Sequence, residues 1–320
     1  MRVVLTFDVE VWCNGWRSLD DDFPRAFGRY VYGRSKAGDY ALPHTLRILR
    51  RHGLKAVFFV EPLFAARFGT QYLDEVVALI ADAGHEVQMH LHPEWTDEIK
   101  PPPLPDIPGK RQHLCYYSLE EQTHLIAFGK SMLTRALGEA PSAFRAGSFA
   151  ANRDTYLALA GNGIWQDSSI DPTHSCSVAD MREFWNVWAN GVIHGVEAYP
   201  LSVFRDGMGR LRHAQIGACS VAELAQAMRT AQKLGWSHFV VLSHNFEMLK
   251  PNSEEPDRIA AHRFAQFCAF LARNREIFEV GSFGDFSGVP RSTTEVVPHV
   301  GFTATGRRYA EQALRRLLFA

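Results

Sequence analysis

The sequence lacks an excess of charge of either sign, and it lacks long apolar runs. Its 320 residues include 34 Lys and Arg and 35 Asp and Glu, which gives a net charge of −1. Because proteins that bind nucleic acid cluster surplus cations against phosphate, this balance argues against a nucleic-acid partner. No apolar stretch is long enough for a membrane span. The apolar part of the N-terminus covers only residues 3–7, which is too short for a signal peptide, so we expect a cytoplasmic protein.

Cysteine is also scarce, and no glycine-rich phosphate loop follows any predicted strand. The five cysteines are odd in number and never form a CxxC pair. This pattern favours reduced thiols and argues against a zinc site built from cysteine. Without this loop, the sequence lacks the motif that is typical of a dinucleotide-binding sheet.

Short β-rich runs alternate with helical stretches along the chain. Strands are predicted at residues 2–7, 55–60, 85–91, 143–146, 164–168, 196–201, 238–243 and 277–280. Capping boxes at Ser118 and Ser220 open two of the intervening helices. Strand–helix alternation of this kind indicates parallel strands. Seven or eight such units favour an α/β barrel, with an open doubly wound sheet as the alternative.

Two carboxylates follow the first predicted strand on one face. Asp8 and Glu10 are two residues apart, and residues at that spacing point to the same side of a strand. A buried carboxylate is costly unless a cation or a proton is shared with it. The pair therefore suggests a functional site, and a solvated strand end is the alternative.

Two histidines share a face of the third predicted strand. His90 and His92 are separated by Leu91, which points the other way, and a proline follows them. Two adjacent imidazoles suit a divalent metal, which then needs a further ligand, often a carboxylate. Polar residues at a barrel rim are the alternative. Gln88 lies on the same face and is a candidate contributor, whereas His85 is expected to be structural.

Further polar residues stand where later strands end. Arg145 is placed to pair with a carboxylate, and the backbone N–H groups near Ser148 are placed to bind an oxyanion. Asp167 is placed to orient a histidine or to cap a turn. His244 ends the seventh predicted strand, where a general acid would stand. Each signal alone is weak.

Together these motifs resemble the polysaccharide deacetylase family, the chitin-deacetylase-like metal-dependent amide hydrolases. The matching stretches occur in the family's order: TFDVE at 6–10, GHEVQMHLHP at 84–93, FRAGS at 144–148, GIWQDSS at 163–169 and LSH at 242–244. The resemblance implies a distorted (β/α)7 barrel. We assign residues 1–290 to this barrel and residues 291–320 to a C-terminal extension.

The resemblance also implies a metal site with two departures from the usual pattern. Val9 replaces the second aspartate of the family's first motif, so Glu10 inherits its role as metal ligand. The histidines, His90 and His92, are two residues apart rather than four. One carboxylate and two imidazoles suit a divalent metal, with zinc as the first candidate.

The remaining implied roles concern proton transfer during hydrolysis of an N-acyl amide. Asp8 is the base, and Arg145 holds it ionised. His244 is the acid, oriented by Asp167. The backbone near Ser148 stabilises the oxyanion.

The expected activity is removal of an N-acetyl group from a sugar or oligosaccharide, in cytoplasmic steps of surface polysaccharide synthesis. Two alternatives stay open: a related barrel amidohydrolase acting on a cyclic or formyl amide, and a non-catalytic carbohydrate-binding protein. Residues 305–320 form a short basic amphipathic helix. We expect it to pack on the barrel, with a peripheral membrane contact as the alternative.

Overall fold

The computed structural model describes residues 1–173, 191–251, 253–286, 294 and 296–319. The chain divides into two compact units. Unit 1 comprises residues 1–56 and 202–320, and unit 2 comprises residues 57–201. Within the described ranges, no helix combines the length and the apolar character needed to cross a bilayer.

The strands are short apart from the first, the fifth and the twelfth. They are β1 (Arg2–Val9), β2 (Arg34–Ser35), β3 (Gly38–Asp39), β4 (Val57–Val60), β5 (Glu86–Leu91), β6 (Ala143–Ala146), β7 (Gln166–Asp167), β8 (Val192–Ile193), β9 (Val196–Ala198), β10 (Val203–Arg205), β11 (Leu211–His213), β12 (His238–His244) and β13 (Glu279–Gly281). The α-helices are α1 (Leu19–Phe27), α2 (Leu42–His52), α3 (Leu63–Phe68), α4 (Thr70–Ala81), α5 (Leu119–Leu137), α6 (Arg153–Gly161), α7 (Val221–Lys233), α8 (Arg258–Arg273) and α9 (Phe302–Phe319).

Unit 1 is built around β1, which pairs in parallel with β12 and with β13. Residues 3–9 of β1 are buried without a break. A strand buried on both faces reads as a continuous apolar run, as in parallel sheets covered by helices. In the same unit α8 packs against α2 and α7, and α7 packs against α9.

The described residues of unit 2 include parallel strands in the order β4, β5, β6, β7 and β9, with β8 antiparallel to β9. Helix α5 packs against α4 and α6 and contacts β5. The predicted capping box opens α5, because the Ser118 side chain accepts from the Glu121 N–H and the Glu121 carboxylate accepts from the Ser118 N–H. Asn152 and Thr155 cap α6 in the same way.

The predicted α/β class with parallel strands is confirmed. All eight predicted strands occur, although the fifth and sixth are shorter than expected and cover only Gln166–Asp167 and Val196–Ala198. Closure into a (β/α)7 barrel stays a prediction. The division at residues 290 and 291 also stays a prediction, because both residues lie outside the described part of the chain.

Candidate active site

In unit 1, Asp8 and His244 are brought together by strand register. The parallel pairing of β1 and β12 sets Asp8 opposite His244. Asn245, the residue after β12, forms hydrogen bonds with the backbone at the end of β1. Its N–H donates to the Asp8 carbonyl at 3.1 Å, and its side chain donates to the Glu10 carbonyl at 3.1 Å and accepts from the Glu10 N–H at 3.3 Å. The ends of the two strands are thereby fixed to each other.

Three ionisable side chains converge at this point. Asp8, Glu10 and His244 each offer one ligand atom, and these atoms all lie within 4.8 Å of one another. Asp8 is only 2% exposed and Glu10 only 8%. The indole Nε1 of Trp12 donates to Glu10 Oε2 at 2.6 Å. Such an arrangement is suited to proton transfer and to holding a cation.

His244 is set to carry a proton at neutral pH. Burial lowers its pKa, but the hydrogen bond to Glu247 and the charges of Glu10, Glu247 and Asp8 outweigh burial and raise the pKa to about 9. Its Nδ1 lies 3.1 Å from Glu247 Oε1. Below that pKa the imidazolium is a proton donor, as a general acid requires.

Glu247 is itself held in place by two hydrogen bonds from neighbouring side chains. Gln215 Nε2 donates to Glu247 Oε1 at 2.6 Å, and Ser243 Oγ donates to Oε2 at 2.9 Å. Gly217 leaves room for the carboxylate, because a Cβ at that position would stand 2.7 Å from it. Glu247 was missed in the sequence analysis. It lies three residues past the strand end, in a turn that carries no recognised motif.

Asp167, the predicted partner of His244, has hydrogen-bond partners within unit 2, and its orienting role stays a prediction. The carboxylate at Nδ1 of His244 belongs to Glu247. Asp167 is buried and accepts from Tyr156 Oη at 2.6 Å and from the N–H and hydroxyl of Ser169 at 2.9 and 2.5 Å. Burial raises its pKa, and these hydrogen bonds oppose the rise. Asp167 therefore fixes the turn after β7.

In unit 2, His90 and His92 lie side by side, as predicted for a metal clamp. Their ring centroids are 4.7 Å apart and the rings are nearly perpendicular. Nδ1 of His90 lies 2.7 Å from the Arg145 carbonyl, and Nδ1 of His92 lies 3.2 Å from Glu94 Oε2. An acceptor at Nδ1 fixes the tautomer in which Nε2 carries the lone pair, which is the usual outer support of metal-binding histidines. Glu94 was also missed in the sequence analysis.

The turn after β6 is shaped around His92. A Cβ on Gly147 would stand 2.6 Å from Cε1 and Nδ1 of the His92 ring, so a larger residue has no room there. The next residue, Ser148, has φ 54° and ψ 20°, in the left-handed region that L-residues rarely adopt. Strained backbone of this kind is often found at functional sites.

Arg145 is fully buried on β6. Its Nε donates to the Ser168 carbonyl at 3.1 Å, and its Nη2 donates to Ser168 Oγ at 2.9 Å. The guanidinium lies over the Phe59 ring, 4.3 Å from the centroid. These contacts hold a permanent positive charge inside unit 2. Its predicted pairing with Asp8 stays a prediction.

Two other polar residues, one on β5 and one just before it, make structural contacts. The Gln88 side-chain oxygen accepts from the N–H groups of Ser142 and Ala143 at 2.9 and 2.7 Å, and its amide donates to Glu86. It ties β5 to the start of β6. His85 packs against Phe58, and burial lowers its pKa to about 4. It is therefore neutral, as expected for a structural residue.

Glu61 is a further buried acid that the sequence analysis did not single out. Its two oxygens accept from the N–H groups of Leu63 and Phe64 at 2.8 and 3.1 Å, which caps the start of α3. Burial raises its pKa to about 8, while these hydrogen bonds and the charge of His92 oppose the rise. Its position directly after β4 is the sequence feature that could have identified Glu61.

Comparison with known proteins bears on the fold. No family model and no curated protein match the chain. The chain is similar to an inferred polysaccharide deacetylase from Mycobacterium smegmatis, with 19% identity and a TM-score of 0.56 over 92% of this chain and 93% of that one. It is also similar to a family 4 carbohydrate esterase from Streptomyces lividans (16% identity, TM-score 0.45, 93% and 97% of the two chains) and to a CE4 family pseudoenzyme from Bacillus anthracis (16%, 0.44, 93% and 69%).

The likeness to the Mycobacterium smegmatis structure extends over nearly the whole of both chains. It confirms a mixed α/β fold like that of this polysaccharide deacetylase.

Proposed function

We propose that the protein is a metal-dependent hydrolase that removes the N-acetyl group from a sugar. The observation that carries this proposal is the cluster of Asp8, Glu10 and His244 at the joined ends of β1 and β12. It supplies a carboxylate base and a protonated histidine within reach of one reacting group. The polysaccharide deacetylase fold supports the proposal, since the M. smegmatis protein with that fold is an inferred polysaccharide deacetylase.

Glu10, His90 and His92 are the proposed metal ligands, and zinc is the first candidate. They offer one carboxylate and two imidazoles, which is a donor set found in catalytic zinc sites. The acceptors at Nδ1 of both histidines suit this role, because they leave the lone pair on Nε2. A divalent cation held there would supply a polarised acetyl carbonyl and a bound water of lowered pKa.

The chain's own residues then move two protons. Asp8 takes a proton from the attacking water as general base. His244 gives its proton to the nitrogen of the leaving amine as general acid, and Glu247 holds the imidazolium in orientation. A pKa raised to about 9 keeps His244 protonated at neutral pH, which suits the acid.

The motif match adds proposed roles for Ser148 and Arg145. The N–H of Ser148, in its left-handed turn, donates to the oxyanion of the tetrahedral intermediate. Arg145, whose guanidinium is buried, is the proposed partner of the base. Both roles rest on the motif match and on the local geometry of β6.

For the substrate we propose an N-acetylated sugar carried on a nucleotide or a lipid, in a cytoplasmic step of surface polysaccharide synthesis. Acetate release from nucleotide-linked, lipid-linked and free N-acetyl sugars, with and without divalent metals, tests this. We expect release that requires metal.

Parallel assays separate the other candidate functions. Hydrolysis of cyclic ureides or formamides without acetate release would indicate a related amidohydrolase. Sugar binding without acetate release in a metal-replete sample would indicate a binding protein.

A further inference from the structure

Charged side chains of helix α9 face the rest of unit 1. Arg308 is buried, with Nε 3.0 Å from Glu223 Oε1 and Nη2 2.8 Å from Asp206 Oδ2. Glu311 is ion-paired with Arg263 at 2.7 Å. Arg315 is ion-paired with Asp257. The start of the helix is held closely, because Gly207 N–H donates to Thr305 Oγ1 at 2.8 Å. The inward contacts of α9 are thus largely polar.

The outward side of the same helix is apolar. Leu317 is 77% exposed, Phe302 72%, Leu314 49% and Tyr309 44%. At 3.6 residues per turn these four side chains span roughly 140° of the helix circumference. In a surface helix the apolar stripe normally faces the core. A reversed arrangement, fixed by buried ion pairs, indicates that something outside the chain covers the apolar side.

The charged residues beside the apolar side chains of α9 indicate which partner covers them. Arg307 and Arg316 are exposed and lie at opposite edges of the apolar arc. The only acid in the helix, Glu311, is turned inward to Arg263. The outward face is therefore apolar and cationic, the composition of helices that lie in the headgroup region of anionic bilayers. A second copy of the chain would bring an equally cationic face, so like charges disfavour self-association through this surface.

We propose that the outward face of α9, formed by Phe302, Tyr309, Leu314 and Leu317 with Arg307 and Arg316, binds the surface of anionic membranes. The apolar side chains enter the boundary between headgroups and acyl chains, and the arginines contact lipid phosphate or carboxylate. This inference stands independently of the proposed catalytic activity, since no residue of the candidate active site takes part.

Co-sedimentation of the full chain with vesicles tests the proposal. Wild-type protein should bind vesicles containing phosphatidylserine more tightly than vesicles of phosphatidylcholine, and added salt should weaken binding. The double variant Phe302→Ser/Leu317→Ser should lower partition to anionic vesicles by about tenfold or more. Arg307→Glu/Arg316→Glu should lower partition by about fivefold or more per arginine, on anionic vesicles only.

Matched controls use exposed residues elsewhere. Tyr116→Ser/Leu157→Ser removes two exposed apolar side chains, and Arg17→Glu/Lys100→Glu reverses two exposed charges. Both should leave vesicle binding unchanged, and circular dichroism should show every variant folded. Absence of wild-type binding, or binding that both α9 variants retain, would overturn the proposal. A concentration-dependent doubling of mass that Leu317→Ser abolishes would overturn it in favour of self-association.

Discussion

Glu247 Oε1 lies 3.1 Å from Nδ1 of His244, and this contact sets the charge of the proposed general acid. Against the lowering effect of burial, Glu247, Glu10 and Asp8 raise the pKa of His244 to about 9. The raised pKa determines how the charge of His244 depends on pH. The protonated histidine is present at neutral pH and is lost as the pH rises through the folded-state value.

The variant Glu247→Gln should move the alkaline limb of the pH–rate profile to lower pH by about one unit or more, because it removes a charge and the charge-assisted hydrogen bond. NMR titration of His244 in metal-free protein should show the same downward shift in its pKa. Glu254→Gln, an exposed change in the same unit, is the matched control. An alkaline limb that stays in place in Glu247→Gln would remove Glu247 from this role.

His90→Ala and His92→Ala should each lose bound zinc. A catalytic zinc site has three protein ligands, so removing one imidazole should lower metal affinity by at least about 100-fold. Elemental analysis after dialysis measures the loss. His124→Ala, which removes an exposed imidazole from α5, should retain metal. Full metal occupancy in both test variants would mean that the histidine pair is not a metal site.

Gly147→Ala tests the support of His92 while leaving every donor in place. The added Cβ would stand 2.6 Å from the imidazole and must displace it or the turn. We expect zinc affinity to fall about 10- to 100-fold, with a loss of about 1–3 kcal/mol in the free energy of unfolding. Gly161→Ala, where a Cβ meets no atom within 4 Å, is the control and should be nearly neutral in both measurements. Unchanged zinc affinity in Gly147→Ala would show that the close packing does not position the ligand.

Arg308→Ala should destabilise unit 1. It leaves the buried carboxylates of Asp206 and Glu223 without their cation, and breaking a buried ion pair from one side costs about 3–5 kcal/mol. Denaturant unfolding measures the change. Arg307→Ala, next in sequence but exposed, should change stability by less than about 0.5 kcal/mol. Equal effects of the two substitutions would contradict the assigned role of Arg308.

The strands that carry the candidate site were predictable because their apolar runs are bounded by polar residues. Asp8 is the last residue but one of β1, and His244 is the last residue of β12. The strand period also predicted that His90 and His92 share a face. The strand ends and the shared face of the histidines depend only on neighbouring residues, so the local periodicity of the sequence predicts them.

The residues that support the site were less predictable, because their roles depend on contacts distant in sequence. Gln88 shares the face of the histidines, but its side chain binds the backbone at Ser142 and Ala143, which no periodicity reveals. Glu247 reaches Nδ1 of His244 because of the turn after β12, which no motif marks. The inward polar face of α9 arises from acids on α7 and on the loop after β10, so its amphipathic pattern alone predicted the opposite packing.

Acetate release by metal-stripped protein, before and after zinc is restored, tests most directly whether Asp8 and a bound metal hydrolyse an N-acetyl sugar. We expect no release from stripped wild-type protein and full recovery on adding zinc. Asp8→Asn should take up zinc and bind substrate normally, yet its rate of acetate release should fall by about 100-fold or more. Undiminished release by stripped wild-type protein, or near wild-type turnover by zinc-loaded Asp8→Asn, would contradict this mechanism.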